Sequence, residues 1–272
     1  MIGGAIIVFM YPKYFDIHSH LDFPKFDDDR EEVISRMREN EVFTISVGTD
    51  LENSKKVVEI AEKNENVFAI IGLHPNDNHL EGFEEEDYTE LAKSKKVVGV
   101  GECGLDFFRL NNENRDVEKI RQISIFNKQI DFAVKHDLPL MIHIREAHEE
   151  TLKILQEKKK HYGDRLRGNI HFFSGGVDLA KKYIDLGFTI SFTGVVTFTS
   201  DYDEVIRQMP LDKIMSETDA PFVAPVPFRG QRCEPAYVKE VVKRIAEIKN
   251  LDFEEVRTKM VENALREFKI TL

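Results

Sequence analysis

Cysteine is scarce in this chain. Its 272 residues contain two, Cys103 and Cys233, too few and too far apart for a disulfide framework, so a reducing compartment is expected and the cytoplasm is the natural location. Long apolar runs are missing as well. The apolar opening MIGGAIIVFM is too short to cross a bilayer and lacks a basic start and a small-residue cleavage site, so no membrane role is expected. Residues 1–13 are instead read as an N-terminal extension or a strand leading into the fold. There is no internal repeat, low-complexity tract or Pro/Gly-rich linker, which leaves residues 14–272 as one domain. Basic residues are the minority, 38 against 49 acidic, for a net charge of −11. That balance argues against broad electrostatic capture of a nucleic-acid duplex. It still permits an enzyme that meets phosphate locally, through a metal centre and a few arginines.

What is present is apolar content of 42%, enough for a continuous core, distributed in an alternating pattern. Strands are expected at 14–18, 42–48, 66–75, 96–106, 138–144, 168–173, 187–194 and 212–219. Helical spacing is expected at 28–40, 52–63, 114–137, 146–160 and 201–208, with a further helix opened by Gly175 and Gly176. In the long helix, Val117, Ile120, Ile123, Phe126, Ile130 and Val134 recur at steps of three or four, predicting one buried face. The tail adds a helix near Pro235 and another capped by Asp252. Eight strands with helical crossovers over roughly 250 residues predict an α/β fold of the (β/α)8 TIM barrel type.

Six potential metal donors fall at the ends of these strands. His18 and His20 alternate across Ser19 and so share a strand face, where both imidazoles can reach one ion. Glu102 lies among glycines in VGVGECGLD, where close backbone approach is allowed and a carboxylate can bridge two cations. His143 ends LPLMIHI, His171 follows GNI, and Asp219 precedes Ala-Pro, where it can bind metal and accept a proton from water. Each alone has a plainer explanation, such as a hydrogen-bonded strand-end histidine or a turn aspartate. Together, at one rim of a parallel barrel, they predict a metal centre. Cys103 points away from Glu102 and is expected to be a buried thiol.

The motifs FDIHSHLD, GLHP, VGECGLD, HIREA, HFFSGG and ETDAPF, in this order, resemble the TatD family of metal-dependent deoxyribonucleases, within the amidohydrolase-like superfamily, from about residue 14 to the C-terminus. The resemblance implies a barrel holding one or two divalent ions: one on His18, His20 and Asp219, a second on His143 and His171, and Glu102 between them. It also places His74 beside a substrate phosphate, and puts Arg145 and Arg232 on the substrate side. Where the family commonly has asparagine before the Glu-Pro pair, this chain has Cys233.

The expected reaction is phosphodiester hydrolysis of DNA, single-stranded or at 3′ ends, by a metal-activated water that loses its proton to Asp219, with Glu102 also at the reacting centre. His74, Arg145 and Arg232 would steady the phosphate oxygens. The mixed imidazole and carboxylate donors accept zinc, manganese or iron, and magnesium with water, so the two ions stay unnamed. Hydrolysis of an amide, lactone or ester, including an aminoacyl ester, remains the alternative, since one arrangement polarises carbonyl and phosphoryl oxygen alike. A metal-binding scaffold without turnover is a third. No obligate protein partner is implied. Phe107, Phe108, Phe222 and Phe228 are candidates for base stacking, with buried packing as the competing role.

Overall fold

The computed structural model describes residues 11–76, 82–108, 110 and 113–272. The first ten residues of the proposed N-terminal extension lie outside them. Eight parallel strands form one sheet in sequential order: β1 (Tyr14–Ser19), β2 (Val42–Val47), β3 (Val67–Ile71), β4 (Val97–Asp106), β5 (Leu140–Arg145), β6 (Gly168–Ile170), β7 (Thr189–Phe192) and β8 (Ile214–Ser216). A bridge between Ser19 and Ala220 brings the last strand back to the first. The helices are α1 (Arg30–Glu39), α2 (Leu51–Lys63), α3 (Glu85–Thr89), α4 (Arg115–Lys135), α5 (His148–Tyr162), α6 (Val177–Asp185), α7 (Asp203–Gln208), α8 (Val238–Lys249) and α9 (Phe253–Glu267). The architecture is a single-domain (β/α)8 barrel, as the strand and helix alternation predicts.

Two apolar layers hold it. An outer one packs strand residues such as Ile142, Ile170, Ile190 and Cys103 against the helices. A second cluster joins Phe15, Phe43, Phe68, Met141 and Met215 to Val261, Ala264, Phe268 and Ile270 at the C-terminus. Met141 stands two residues before His143 and Met215 two before Glu217, so by strand alternation this cluster lies inside the barrel, beneath the histidines. The end of α9 and the residues after it stop that end of the barrel. Asp252 caps α9 as its position suggests, accepting from the Glu254 and Glu255 backbone N–H groups at 2.9 and 3.1 Å.

Four strands are shorter than the apolar runs. β6 ends at Ile170, β8 at Ser216, β3 at Ile71 and β7 at Phe192. Beyond these points the chain turns aside to aim side chains over the barrel mouth; Phe172 and Asp219 take left-handed φ of 45° and 56°, conformations that leave a strand. The long helix also departs from expectation. Val117 and Ile120 are exposed at 67% and 69%, and its buried residues begin at Gln122. The helix runs twenty-one residues, about 32 Å, and its first two turns lie outside the packed face. Helix α3, which no apolar periodicity announces, is anchored by Tyr88, whose ring stacks on Phe83 at 4.5 Å and whose hydroxyl donates to the Gly72 carbonyl at 3.4 Å.

Glu267, the last residue of α9, has a side-chain oxygen, Oε1, that is buried with no hydrogen-bond partner among the described residues. Burial outweighs Arg167, Lys213, Arg266 and Lys159 and pushes its carboxyl up to about 7. A carboxyl raised in the folded state ionises first in the unfolded chain, so its stability contribution is complete at low pH and is lost as pH rises towards 7. Glu267→Gln should therefore raise stability by about 1–3 kcal/mol near pH 8 and leave it unchanged near pH 4, compared by thermal unfolding at both.

Candidate metal centre

The six strand-end donors meet at the C-terminal mouth of the barrel. Glu102 sits at their centre, 4% exposed, and its two oxygens face different histidine pairs. Oε1 is 2.7 Å from His143 Nδ1 and 3.1 Å from His171 Nε2; Oε2 is 3.5 Å from His18 Nε2 and 3.7 Å from His20 Nε2. Asp219 Oδ1 lies 3.4 Å from His20 Nε2 and 3.8 Å from His18 Nε2. The two Nε2 atoms of His18 and His20 are themselves 3.2 Å apart. Glycine permits this: a Cβ on Gly104, at φ +139°, would stand 2.0 Å from the His143 carbonyl oxygen, so a side chain there would force β4 away from β5.

Three of the four imidazoles are held from behind. His20 Nδ1 donates to the Val47 carbonyl at 2.8 Å, His171 Nδ1 to Glu217 Oε1 at 3.1 Å, and His143 Nε2 to Asp106 Oδ2 at 3.3 Å. Each bond leaves the other ring nitrogen with its lone pair turned to the centre, which is how metal-ligating histidines are fixed. His18 Nδ1 has no hydrogen-bond partner among the described residues; its ring stacks on His171 at 3.9 Å between centroids.

The electrostatics call for positive charge. Burial alone would raise the Glu102 carboxyl, yet His171, His143 and His18 hold it well below the usual carboxylate range. Burial is likewise overridden at Asp219, lowered chiefly by His20. In the same sense, burial opposes protonating His171 and His20, but Glu217 and Glu102 raise the first well above its ordinary value, and Asp219 takes the second to about 9. His18 is lowered by burial and by His171. Buried carboxylates in a nest of imidazoles, with ring nitrogens at contact distance from one another, suit divalent cations that replace those protons. Groups made of His18, His20 and Glu102, and of His74, Glu102 and His143, each offer ligand atoms within 4.8 Å of one another.

The sequence matches a family model described as TatD related DNase over residues 15–269. The chain belongs to the TatD family. Among curated relatives, the uncharacterized metal-dependent hydrolase YabD of Bacillus subtilis is 38% identical over 262 residues, which cover 94% of this chain and 99% of the relative. The similarly described YcfH of Escherichia coli is 33% identical, covering 94% and 95%. The crystal structure of YjjV, a TatD homolog from Escherichia coli, matches with TM-score 0.86 and 29% identity over 96% of this chain and 100% of that one. Metal-dependent hydrolysis is the chemistry of this TatD chain.

The centre floors a cavity of about 500 Å³ lined by His20, His74, Glu102, His143, His171 and Asp219, with Arg145, Phe23, Phe172 and Phe222 on its walls. His74 Nε2 is 3.9 Å from Glu102 Oε1, beside the donors. Arg145 projects over the Phe108 ring at 3.7 Å. Arg232 is placed elsewhere: it does not line the cavity, and its guanidinium donates to both oxygens of Asp29 at 2.6 Å and to Glu234 Oε1 at 3.1 Å. Glu234 also accepts from Arg36 at 2.8 Å, so the Arg232-Cys233-Glu234 segment is tied down to α1.

Sequence reasoning missed Asp106, Glu217 and Asp16. Glu217 is fully buried, and besides His171 it accepts from the Phe172 N–H and the Ser191 hydroxyl, both at 2.8 Å. Asp16 accepts from the Thr218 N–H and hydroxyl at 2.8 and 2.7 Å and from Thr44 at 3.1 Å, joining β1 to the chain leaving β8. The signal for Asp16 and Glu217 was an acidic residue two positions from a predicted ligand, and for Asp106 an acidic residue closing the same apolar run as Glu102. Replacing Glu102 with alanine should abolish metal retention, read by elemental analysis of protein purified without chelator. Glu217→Ala should keep the donors yet weaken metal affinity by about 10- to 100-fold, measured by calorimetric titration.

Proposed function

We propose that this TatD protein is a deoxyribonuclease that hydrolyses phosphodiester bonds. The observation that carries this reading is the division of Glu102, one oxygen towards His143 and His171 and the other towards His18 and His20. That division fits two cations about one carboxylate, an arrangement suited to in-line displacement at phosphorus. In it, His18, His20 and Asp219 would hold one ion and His143 and His171 the other, with Glu102 shared between them. Divalent ions bound there neutralise charge on the phosphate oxygens and acidify a water.

The chain's own groups supply the rest. Asp219 Oδ1, at the strand-end turn, is set to take the proton of the attacking water and return it to the departing sugar oxygen. His74, whose Nδ1 accepts from the Asn76 N–H at 3.2 Å and whose Nε2 lies 3.9 Å from Glu102, would face a non-bridging oxygen, and Arg145 adds a donor on the cavity wall. The walls of Phe23, Phe172 and Phe222 exclude water from part of the mouth. Arg232 contributes to substrate handling through the position of its loop, since its guanidinium is engaged by Asp29 and Glu234. DNA in single-stranded form or at a 3′ end suits a cavity too confined for a duplex. Two buried, unpaired thiols, Cys103 and Cys233, agree with a cytoplasmic setting; among the described residues no helix is long and apolar enough to cross a membrane.

The test is a screen of metal-depleted and manganese-, zinc- or magnesium-restored protein against labelled single-stranded DNA, duplex DNA and RNA, beside amide and aminoacyl-ester panels. Release from single-stranded DNA that returns only with metal is the expected outcome. Ester or amide turnover without DNA cleavage would replace this reading with carbonyl hydrolysis.

A further inference from the structure

Among the described residues the exposed phenylalanines are three, Phe108, Phe198 and Phe222, at 51%, 40% and 39% exposure. All three sit on loops that follow C-terminal strand ends: Phe108 after β4, Phe198 after β7 and Phe222 after β8. Each also lies under a cation. Arg145 covers Phe108 at 3.7 Å, Arg229 covers Phe198 at 3.6 Å, and the Lys25 ammonium stands 4.9 Å from the Phe222 ring. These cations come from the end of β5 and from the loops after β8 and β1, again the face that carries the metal centre.

A partly exposed phenylalanine forgoes part of its burial, so three of them gathered on one face, each with a cation, mark a surface that a ligand covers. The cations are available too. Arg232 and Arg36 on the same side of the barrel are spent on Asp29 and Glu234, whereas Lys25, Arg145 and Arg229 form no ion pair among the described residues. On a chain of net charge −11, three cations without an ion-pair partner among the described residues stand around one mouth. Two of the pairs reach the cavity itself: Phe222 and Arg145 line it. Phe222 is held by its N–H bond to the Asp219 carbonyl at 2.8 Å and meets Phe23 edge to face at 5.9 Å, and Phe23 in turn stacks on His20 at 4.6 Å. A ring for a base and a cation for the phosphate beside it is the repeating unit of single-strand recognition.

Resting on the phosphodiester reading above, we propose that Phe108 with Arg145 and Phe222 with Lys25 are two nucleotide subsites on opposite sides of the metal centre. Phe198 with Arg229 is a third, farther out on the side of β7 and β8. The substrate is then a strand lying across the mouth, its bases stacked on the phenylalanines and its scissile phosphate over Glu102.

The experiment compares manganese-loaded wild type with Phe108→Ala and Phe222→Ala on a single-stranded oligodeoxynucleotide and on an oligomer of equal length with abasic residues. Wild type should favour the intact strand, and each variant should raise KM for it by about 5- to 100-fold, with the loss falling on KM rather than kcat and the preference over the abasic oligomer narrowing. Phe222→Tyr should restore it, and unchanged thermal unfolding should accompany each exposed-ring variant. Variants that still prefer the intact strand as strongly as wild type would overturn the subsites while leaving the nuclease reading in place. Failure of wild type to cleave or bind either oligomer would remove that reading and the subsites together.

Discussion

A carboxylate buried at the axis of a barrel mouth, with only imidazoles for ion partners among the described residues, is the constraint around which this molecule is arranged. Glu102 contacts His18, His20, His74, His143 and His171 and no lysine or arginine. Removing such a charge from water costs several kcal/mol unless positive charge comes with it. The protein supplies that charge through imidazoles, groups that can exchange protons for metal. The strands provide what this needs: donors from β1, β4, β5, β6 and β8 are brought together because each is carried to the same rim by a parallel strand.

The backing of the histidines turns a cluster into a defined centre. Val47, Asp106 and Glu217 each fix one ring nitrogen, so the lone pairs are set by the scaffold before any ion arrives. Asp106 and Glu217 back His143 and His171 with carboxylates, where Val47 backs His20 with a neutral carbonyl. Asp16 works one layer lower, tying β1 to Thr218 beside the bridge that completes the barrel, and keeps Asp219 in register with His18.

Much of this was legible in the sequence. Alternation of apolar runs with helical spacing located all eight strands, and the donors announced themselves by type and by standing at the ends of those runs. Three things were not legible. Strand ends at β6 and β8 depend on left-handed turns at Phe172 and Asp219, residue types that carry no glycine-like signal. Val117 and Ile120 continue the helical repeat beyond the point where there is a wall to pack on, and periodicity cannot report what lies opposite a face. Arg232 has the residue type of a phosphate ligand, but its partners Asp29 and Glu234 lie 203 and 2 residues away, and the distant one is supplied by tertiary structure alone.

The stopped floor of the barrel has its own corollary. Phe268 and Ile270 fill the inner end beneath Phe15, Phe43 and Phe68, so the catalytic chamber is a cul-de-sac. No polymer can be threaded through it. Whatever is hydrolysed there must leave by the entrance through which its precursor arrived.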